Sequence, residues 1–187
     1  EVDPEDPAFQ HPTKRIGKLM NLEESDRLAR EKGWVFKEDK KSRSGYRRVV
    51  ASPEPKSVLN GDVVGSNARA GTIIIAAGGG GIPVYTDEEG QLRASEAVVD
   101  KDLASSMLAS QIEADEFYVL TDVPFVYADY GTPNERKLEF LNYTDTLKHI
   151  QKGTFGEGSM APKIRAALSF IEKGGTQSII TESRKLE

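Results

Sequence analysis

The spacing of apolar residues changes near residue 57. Before Pro55 they are sparse and broken up by turn formers: Pro4, Pro7, Pro12, Gly17, Gly33, Gly45 and Pro53. Between these breaks the pattern predicts a short polar helix over 23–31 and two strands, over 34–37 and 46–51. Together they make a small α+β appendage on extended linkers. Such a thin segment buries little core of its own and is expected to lean on something larger. From Ser57 onward helix and strand alternate. Residues 58–70 read as a helix weakened by Gly61, Gly65 and Asn67. The continuous apolar run Thr72-Ile-Ile-Ile-Ala-Ala77 predicts a strand buried on both faces. Leu103, Met107, Leu108 and Ile112 fall at helical spacing, 116–121 reads as a strand, and Tyr143 opens a helix to about Gln151. Ile164, Ala167, Leu168 and Ile171 form an i, i+3, i+4, i+7 stripe stopped by Gly174-Gly175, and 178–181 is the last strand. Alternation of this kind predicts an α/β fold with a mostly parallel sheet, whose ligands bind beyond the carboxyl ends of the strands.

Composition narrows the possibilities. The 187 residues carry 29% charged and 37% hydrophobic side chains, enough for one domain with a sizeable core or a domain plus an appendage. No apolar run approaches the length of a membrane span. With no cysteine, neither a disulfide nor a thiolate metal site can form, and the expected compartment is reducing. The net charge is −5, divided as +2 over residues 1–57 and −7 over 58–187, so the acidic body is a poor nucleic-acid binder. The one basic cluster, Lys37, Lys40, Lys41, Arg43, Arg47 and Arg48, reads as a solvated hairpin rather than a phosphate-tracking surface. His11 and His149 are the only histidines and neither has a metal-ligand neighbour in sequence, which argues against histidine chemistry and a resident metal site. The chain starts at Glu1 without a Met, which suggests a piece of a longer polypeptide.

Candidate chemistry gathers where predicted strands hand over to predicted helices. In Glu96-Ala-Val-Val-Asp100-Lys101-Asp102-Leu103 an apolar run ends in a Lys between two carboxylates, poor core material at a place suited to a site. The triplet is also what a solvated surface cluster looks like. A carboxylate-held ammonium, however, stays protonated and oriented, as the clamping of a migrating phosphoryl group requires. Gly158-Ser159-Met160-Ala161-Pro162-Lys163 brings a second Lys to a second helix start, with Pro162 suited to the first turn. Two lysines at two helix N-termini predict a site for a phosphate-bearing anion. No Gly-Lys-Ser/Thr follows Gly78 to Gly81, which rules out a Walker A loop, and Pro83 blocks the helix start of a dinucleotide fingerprint; a sharp bend and a close ligand approach both fit. Asp122 caps a turn or faces a nucleotide, and Tyr127 suits the core equally well.

Six blocks, in order, resemble carbamate kinases of the amino-acid kinase superfamily. They are Asp6-Pro-Ala-Phe-Gln-His-Pro-Thr-Lys14-Arg-Ile-Gly17, Gly45-Tyr-Arg-Arg-Val-Val-Ala-Ser-Pro53, Ala76-Ala-Gly-Gly-Gly-Gly-Ile-Pro83, Glu96-Ala-Val-Val-Asp-Lys-Asp-Leu-Ala104, Thr121-Asp-Val and Gly158-Ser-Met-Ala-Pro-Lys163. The resemblance implies a three-layer αβα sandwich, with a linker and protruding subdomain over 1–56 and a nucleotide-binding lobe over 57–187. It implies reversible phosphoryl transfer between ATP and carbamate, giving ADP and carbamoyl phosphate, with Mg²⁺ on the phosphates. Such enzymes are cytoplasmic homodimers that run toward ATP in arginine or purine nitrogen catabolism. Carried over by motif, Lys101 and Lys163 stabilise the phosphoryl group and Asp102 orients both. Lys14, Gly79 and Gly80 lie on the carbamate side, and Asp122, Tyr127, Gly158, Ser159 and Met160 form the nucleotide site. Arg15, Pro124, Asp129 and Ala161 depart from the residues usual there. The Ala-Leu-Gly-Gly-Asn-Ala and Gly-Asn-Gly-Pro-Gln motifs of the family's first half do not occur in these residues. The chain thus reads as the nucleotide-binding half of a longer enzyme. Two other readings stay open: a nucleotide-binding fragment without turnover, and a superfamily kinase for another acceptor.

Overall fold

The computed structural model describes residues 1–39, 45–155 and 160–185. The chain divides into two compact units, one of Glu1–Lys56 with Gly80–Asp100 and one of Ser57–Gly79 with Lys101–Glu187.

In the first unit, strand β1 (Lys14–Met20) leads into helix α1 (Leu22–Lys32), followed by β2 (Val35–Glu38) and β3 (Tyr46–Val50). Helix α1 forms from a polar sequence because its ends are well signalled. The Asn21 side chain accepts from the Glu24 N–H at 2.8 Å, Glu23 and Glu24 occupy the first turn, and Arg30 and Lys32 the last. The three strands make an antiparallel sheet in the order β1-β3-β2. The guanidinium of Arg48 stacks 3.8 Å over the Trp34 ring and forms an ion pair with Glu96. Val49, Val50, Ala51 and Val99 are buried. Beyond β3 the ladder continues as two isolated bridges, Ala51 with Ala97 and Gly81 with Val99, so the apolar run before Asp100 is held by bridges and not by a regular strand. A hairpin that the apolar pattern does not announce, β4 (Val84–Thr86) with β5 (Leu92–Ala94), turns on the Asp87 carboxylate, which accepts from the Gln91 N–H at 2.7 Å and Arg93 Nε at 2.6 Å.

The second unit begins with α2 (Gly61–Arg69), shorter than the predicted 58–70. The shortening has a local cause. The Gln111 amide takes both backbone groups of Val58, accepting its N–H at 2.9 Å and donating to its C=O at 3.0 Å, which holds the entry in a non-helical conformation. Helix α3 (Lys101–Gln111), strand β6 (Glu116–Thr121), hairpin β7 (Val126–Ala128) and β8 (Arg136–Leu138), α4 (Tyr143–Gln151), α5 (Met160–Glu172) and β9 (Gln177–Glu182) follow. The fold is mixed α/β as predicted, and its parallel pair of strands among the described residues is β6–β9, in register from Glu116 with Gln177 to Thr121 with Glu182. Phe117 and Val119 on β6 pack against Ala166 and Phe170 on α5, with the Phe117 and Phe170 rings 5.6 Å apart. The α5 stripe read from the sequence is only part of its buried surface, because Ala166 and Phe170, both 0% exposed, form the face toward β6.

One predicted strand is not there. Residues 72–77 form no ladder with any described residue, and Ile73 and Ile75 are 94% and 97% exposed. A continuous apolar run makes a buried strand only when partners saturate its backbone, and none of the described strands does so here.

The Phe170 contacts carry a measurable weight. Phe170→Ala is expected to lower unfolding free energy by about 3–5 kcal/mol. Gly175→Ala drives a methyl into the Phe170 ring and is expected to cost about 1–3 kcal/mol. Urea unfolding of the two variants checks both values.

Candidate active site

The helix starts bring three side chains of the second unit together. Lys101 is the first residue of α3 and Asp102 the second, and Lys163 lies in the first turn of α5. Lys101 Nζ donates to Asp102 Oδ1 at 2.7 Å, and Lys163 Nζ donates to Asp102 Oδ2 at 3.0 Å. One carboxylate therefore holds two ammonium groups, one on each oxygen. Asp102 gains further stabilisation from its place in the first turn, where the helix dipole favours a negative charge. The side chains differ sharply in exposure: 48% for Lys101, 12% for Asp102 and 9% for Lys163. A buried ammonium is tolerated because Asp102 faces it; alone it would be strongly desolvated.

A second contact sets the register of the two helices. Ser106 Oγ, buried one turn after Asp102, donates to the Ala166 C=O at 2.7 Å. The Asp102–Lys163 and Ser106–Ala166 contacts are spaced by four residues on α3 and three on α5, so both helices are pinned at two successive turns. Sequence reading missed Ser106, although its i+4 spacing from Asp102 was a usable signal.

The carboxylates of the triplet split their duties. Asp100 belongs to the first unit and accepts from Lys14 Nζ at 2.6 Å, while Asp102 receives Lys101. The Lys14–Asp100 pairing, across 86 residues of sequence, was not predicted.

Asp122 is exposed just past the carboxyl end of β6, and the Thr121 hydroxyl donates to its Oδ1 at 3.1 Å. Tyr127 on β7 is half-buried with its ring 5.7 Å from Tyr130. Met160 opens α5 and packs on the cluster of Val126, Phe155 and Ile164. Gly158 and Ser159 lie outside the described residues. A Cβ at Gly79 would meet nothing within 4 Å, whereas one at Gly80 would lie 2.9 Å from Val98 Cγ1 and 3.1 Å from the Val99 carbonyl. Gly80 thus permits the close approach that the Gly81–Val99 bridge requires. Of the basic cluster, Arg47 pairs with Asp39 at 3.3 Å and Arg48 with Glu96, while Lys40, Lys41 and Arg43 lie outside the described residues. His149 is engaged locally, its Nδ1 2.8 Å from the Thr154 hydroxyl.

A groove of about 520 Å³ runs along α5 and β9 and is lined by Ile164, Leu168, Ile171 and Ile180, but by none of the predicted site residues. Among the described residues there is no cluster of three His, Cys, Asp or Glu side chains suited to a metal, and no helix long and apolar enough to cross a membrane.

Paired lysines, a shared carboxylate and an exposed acidic residue past a parallel strand suit a transferring phosphoryl group and its nucleotide. Residues 20–182 match the amino acid kinase family, and the chain belongs to that family. Within it, the chain is 46% identical over 184 residues to the carbamate kinase of Pyrococcus furiosus, a match covering 98% of this chain and 58% of that protein. It is 43% identical over 183 residues to carbamate kinase 3 of Staphylococcus aureus, again with 98% and 58% covered. The solved structure of Giardia lamblia carbamate kinase bound to AMP-PNP matches with a TM-score of 0.84 at 38% identity, over 97% of this chain and 57% of that one. The chain spans somewhat more than half the length of the curated relatives it matches.

The difference in burial between the two lysines predicts a difference in stability. Asp102→Asn leaves the Lys163 ammonium buried without its countercharge and is expected to cost about 3–5 kcal/mol. Lys101→Ala removes a half-exposed partner and is expected to cost about 1 kcal/mol or less. Denaturant unfolding of the two variants separates them.

Proposed function

We propose that this chain is the nucleotide-binding part of a carbamate kinase, which transfers a phosphoryl group reversibly between ATP and carbamate. The observation that carries this reading is the Asp102 carboxylate holding Lys101 and Lys163 at two helix starts. Carbamate already has an anionic oxygen, so the reaction needs no general base. What it needs is alignment of nucleophile and phosphorus and neutralisation of charge on the phosphoryl oxygens as the bond to the leaving group lengthens. Lys101 and Lys163 supply two positive charges from fixed directions. Asp102 orients both, and an ammonium with three N–H donors can face a carboxylate and a phosphoryl oxygen at once.

On this reading Asp122, at the carboxyl end of the parallel pair, faces the nucleotide with Tyr127, Met160, Gly158 and Ser159. Lys14, Gly79 and Gly80 serve the carbamate side. Lys101 and Lys163 repel a cation and between them engage both oxygens of Asp102, so a divalent ion such as Mg²⁺ would fit here as a passenger on the nucleotide phosphates, drawing its oxygen ligands from phosphate and water. Bound in that way, it offsets phosphate charge. The family resemblance alone supports a cytoplasmic homodimer that works toward ATP in arginine or purine nitrogen catabolism.

The exposed Ile73 and Ile75 favour a second reading for these 187 residues taken alone, in which they hold adenine nucleotide without turnover. One assay decides between the readings: ATP formation from carbamoyl phosphate and ADP, by the natural full-length polypeptide and by the 187 residues. The account expects turnover by the former and negligible turnover by the latter. In the full-length polypeptide, Lys101→Ala and Lys163→Met are each expected to lower kcat by well over tenfold, a factor worth about 1.4 kcal/mol. Unchanged kcat in either variant removes that lysine from the mechanism.

A further inference from the structure

We propose that Asp100 is a positioning residue for the kinase reaction, acting through Lys14, whose ammonium it holds for the carbamate or carbamoyl phosphate anion. The inference rests on the kinase reading above and adds a residue to which that reading gives no role. Lys14 Nζ lies 2.6 Å from Asp100 Oδ2, with side-chain exposures of 30% and 16%. A surface ion pair of flexible chains would contribute little, but this pair is anchored at both ends by backbone. Lys14 opens β1 opposite Val50, and the neighbouring Thr13 N–H donates to the Val50 C=O at 3.2 Å. The next residue, Ala51, bridges Ala97 and accepts from the Val98 N–H at 3.0 Å. Val99 then exchanges both backbone hydrogen bonds with Gly81, each at 3.1 Å. The Cα atoms of Lys14 and Asp100 are thus fixed by one ladder, and the ion pair closes it at the side-chain level.

Such closure gives a long, mobile side chain a defined end point. A lysine ammonium has three donors, and Asp100 takes one of them in a fixed direction, which orients the rest toward an anion. In this arrangement each acid of the Asp100-Lys101-Asp102 triplet addresses a lysine distant in sequence, Asp100 holding Lys14 and Asp102 holding Lys163. The prediction is specific to one substrate. Disturbing Asp100 weakens capture of the carbamoyl anion and leaves the nucleotide untouched.

The test uses the natural full-length polypeptide and steady-state formation of ATP from carbamoyl phosphate and ADP. Asp100→Asn is expected to raise KM for carbamoyl phosphate about tenfold while KM for ADP stays within about twofold. Asp100→Glu keeps the charge but moves the ammonium by about one C–C bond, and is expected to raise the same KM by about two- to fivefold. In a Lys14→Met background, Asp100→Asn is expected to add less than about twofold, since the two residues act as one unit. Three results overturn the inference: an unchanged KM for carbamoyl phosphate in Asp100→Asn, an equal rise in both KM values, or a full effect of Asp100→Asn without Lys14. If Asp100→Asn does not fold, an unchanged KM in Asp100→Glu overturns it equally. Absence of ATP formation by the unsubstituted polypeptide is a different outcome, since it overturns the kinase reading and this inference with it.

Discussion

One carboxylate governs the arrangement of the site. Asp102 sits where α3 begins, and its two oxygens accept from Lys101 and Lys163 at 2.7 and 3.0 Å. Without it, two cations would approach each other in a partly desolvated place, and the nearly buried Lys163 would lose the countercharge that Asp102 supplies. The fold supports this contact with a second one a turn further on, where Ser106 Oγ donates to the Ala166 carbonyl. Helices pinned at two consecutive turns cannot slide without breaking both contacts. Helix packing thus holds the Asp102–Lys163 contact, while Lys101 is placed by its neighbour on α3.

The same arrangement explains how a chain without nearby histidine or cysteine chemistry can suit phosphoryl transfer. The reaction asks for alignment and charge, and both come from backbone-anchored lysines. Lys163 gains a low-dielectric surrounding that strengthens its field, and the α5 face carrying Ala166 and Phe170 fixes that surrounding against β6. Lys101 is half exposed and is oriented by its neighbour in sequence. The pair thus joins a rigid buried cation to an accessible one.

How much of this was readable depended on whether the signal was local. Helix α1 was expected over 23–31 as a polar segment between turn formers, and the Asn21 cap and end-turn charges that hold it are equally local, because caps act over a few residues. The paired strands β6 and β9 were readable from short apolar runs bounded by turn signals. Lys101, Asp102 and Lys163 were singled out because charged residues at loop-to-helix junctions make poor core, and their family pattern then joined them. Signals that depend on distant partners were misread or invisible. Residues 72–77 have the composition of a buried strand, but composition specifies what an environment must be and not whether neighbours supply it; Ile73 and Ile75 lie exposed. The Lys14–Asp100 pair spans 86 positions, and no local rule links them. The short hairpins β4–β5 and β7–β8 have three residues per strand, too few to show a period.

The central claim is that both ammonium groups address one transferring phosphoryl group. A crystal structure of the natural full-length polypeptide with ADP and a planar metal-fluoride mimic of that group tests it directly. The account predicts Lys101 Nζ and Lys163 Nζ each within about 3 Å of a fluoride, the reach of a charge-assisted hydrogen bond, with Asp102 still between them. A mimic bound with either ammonium turned away from it would contradict the account.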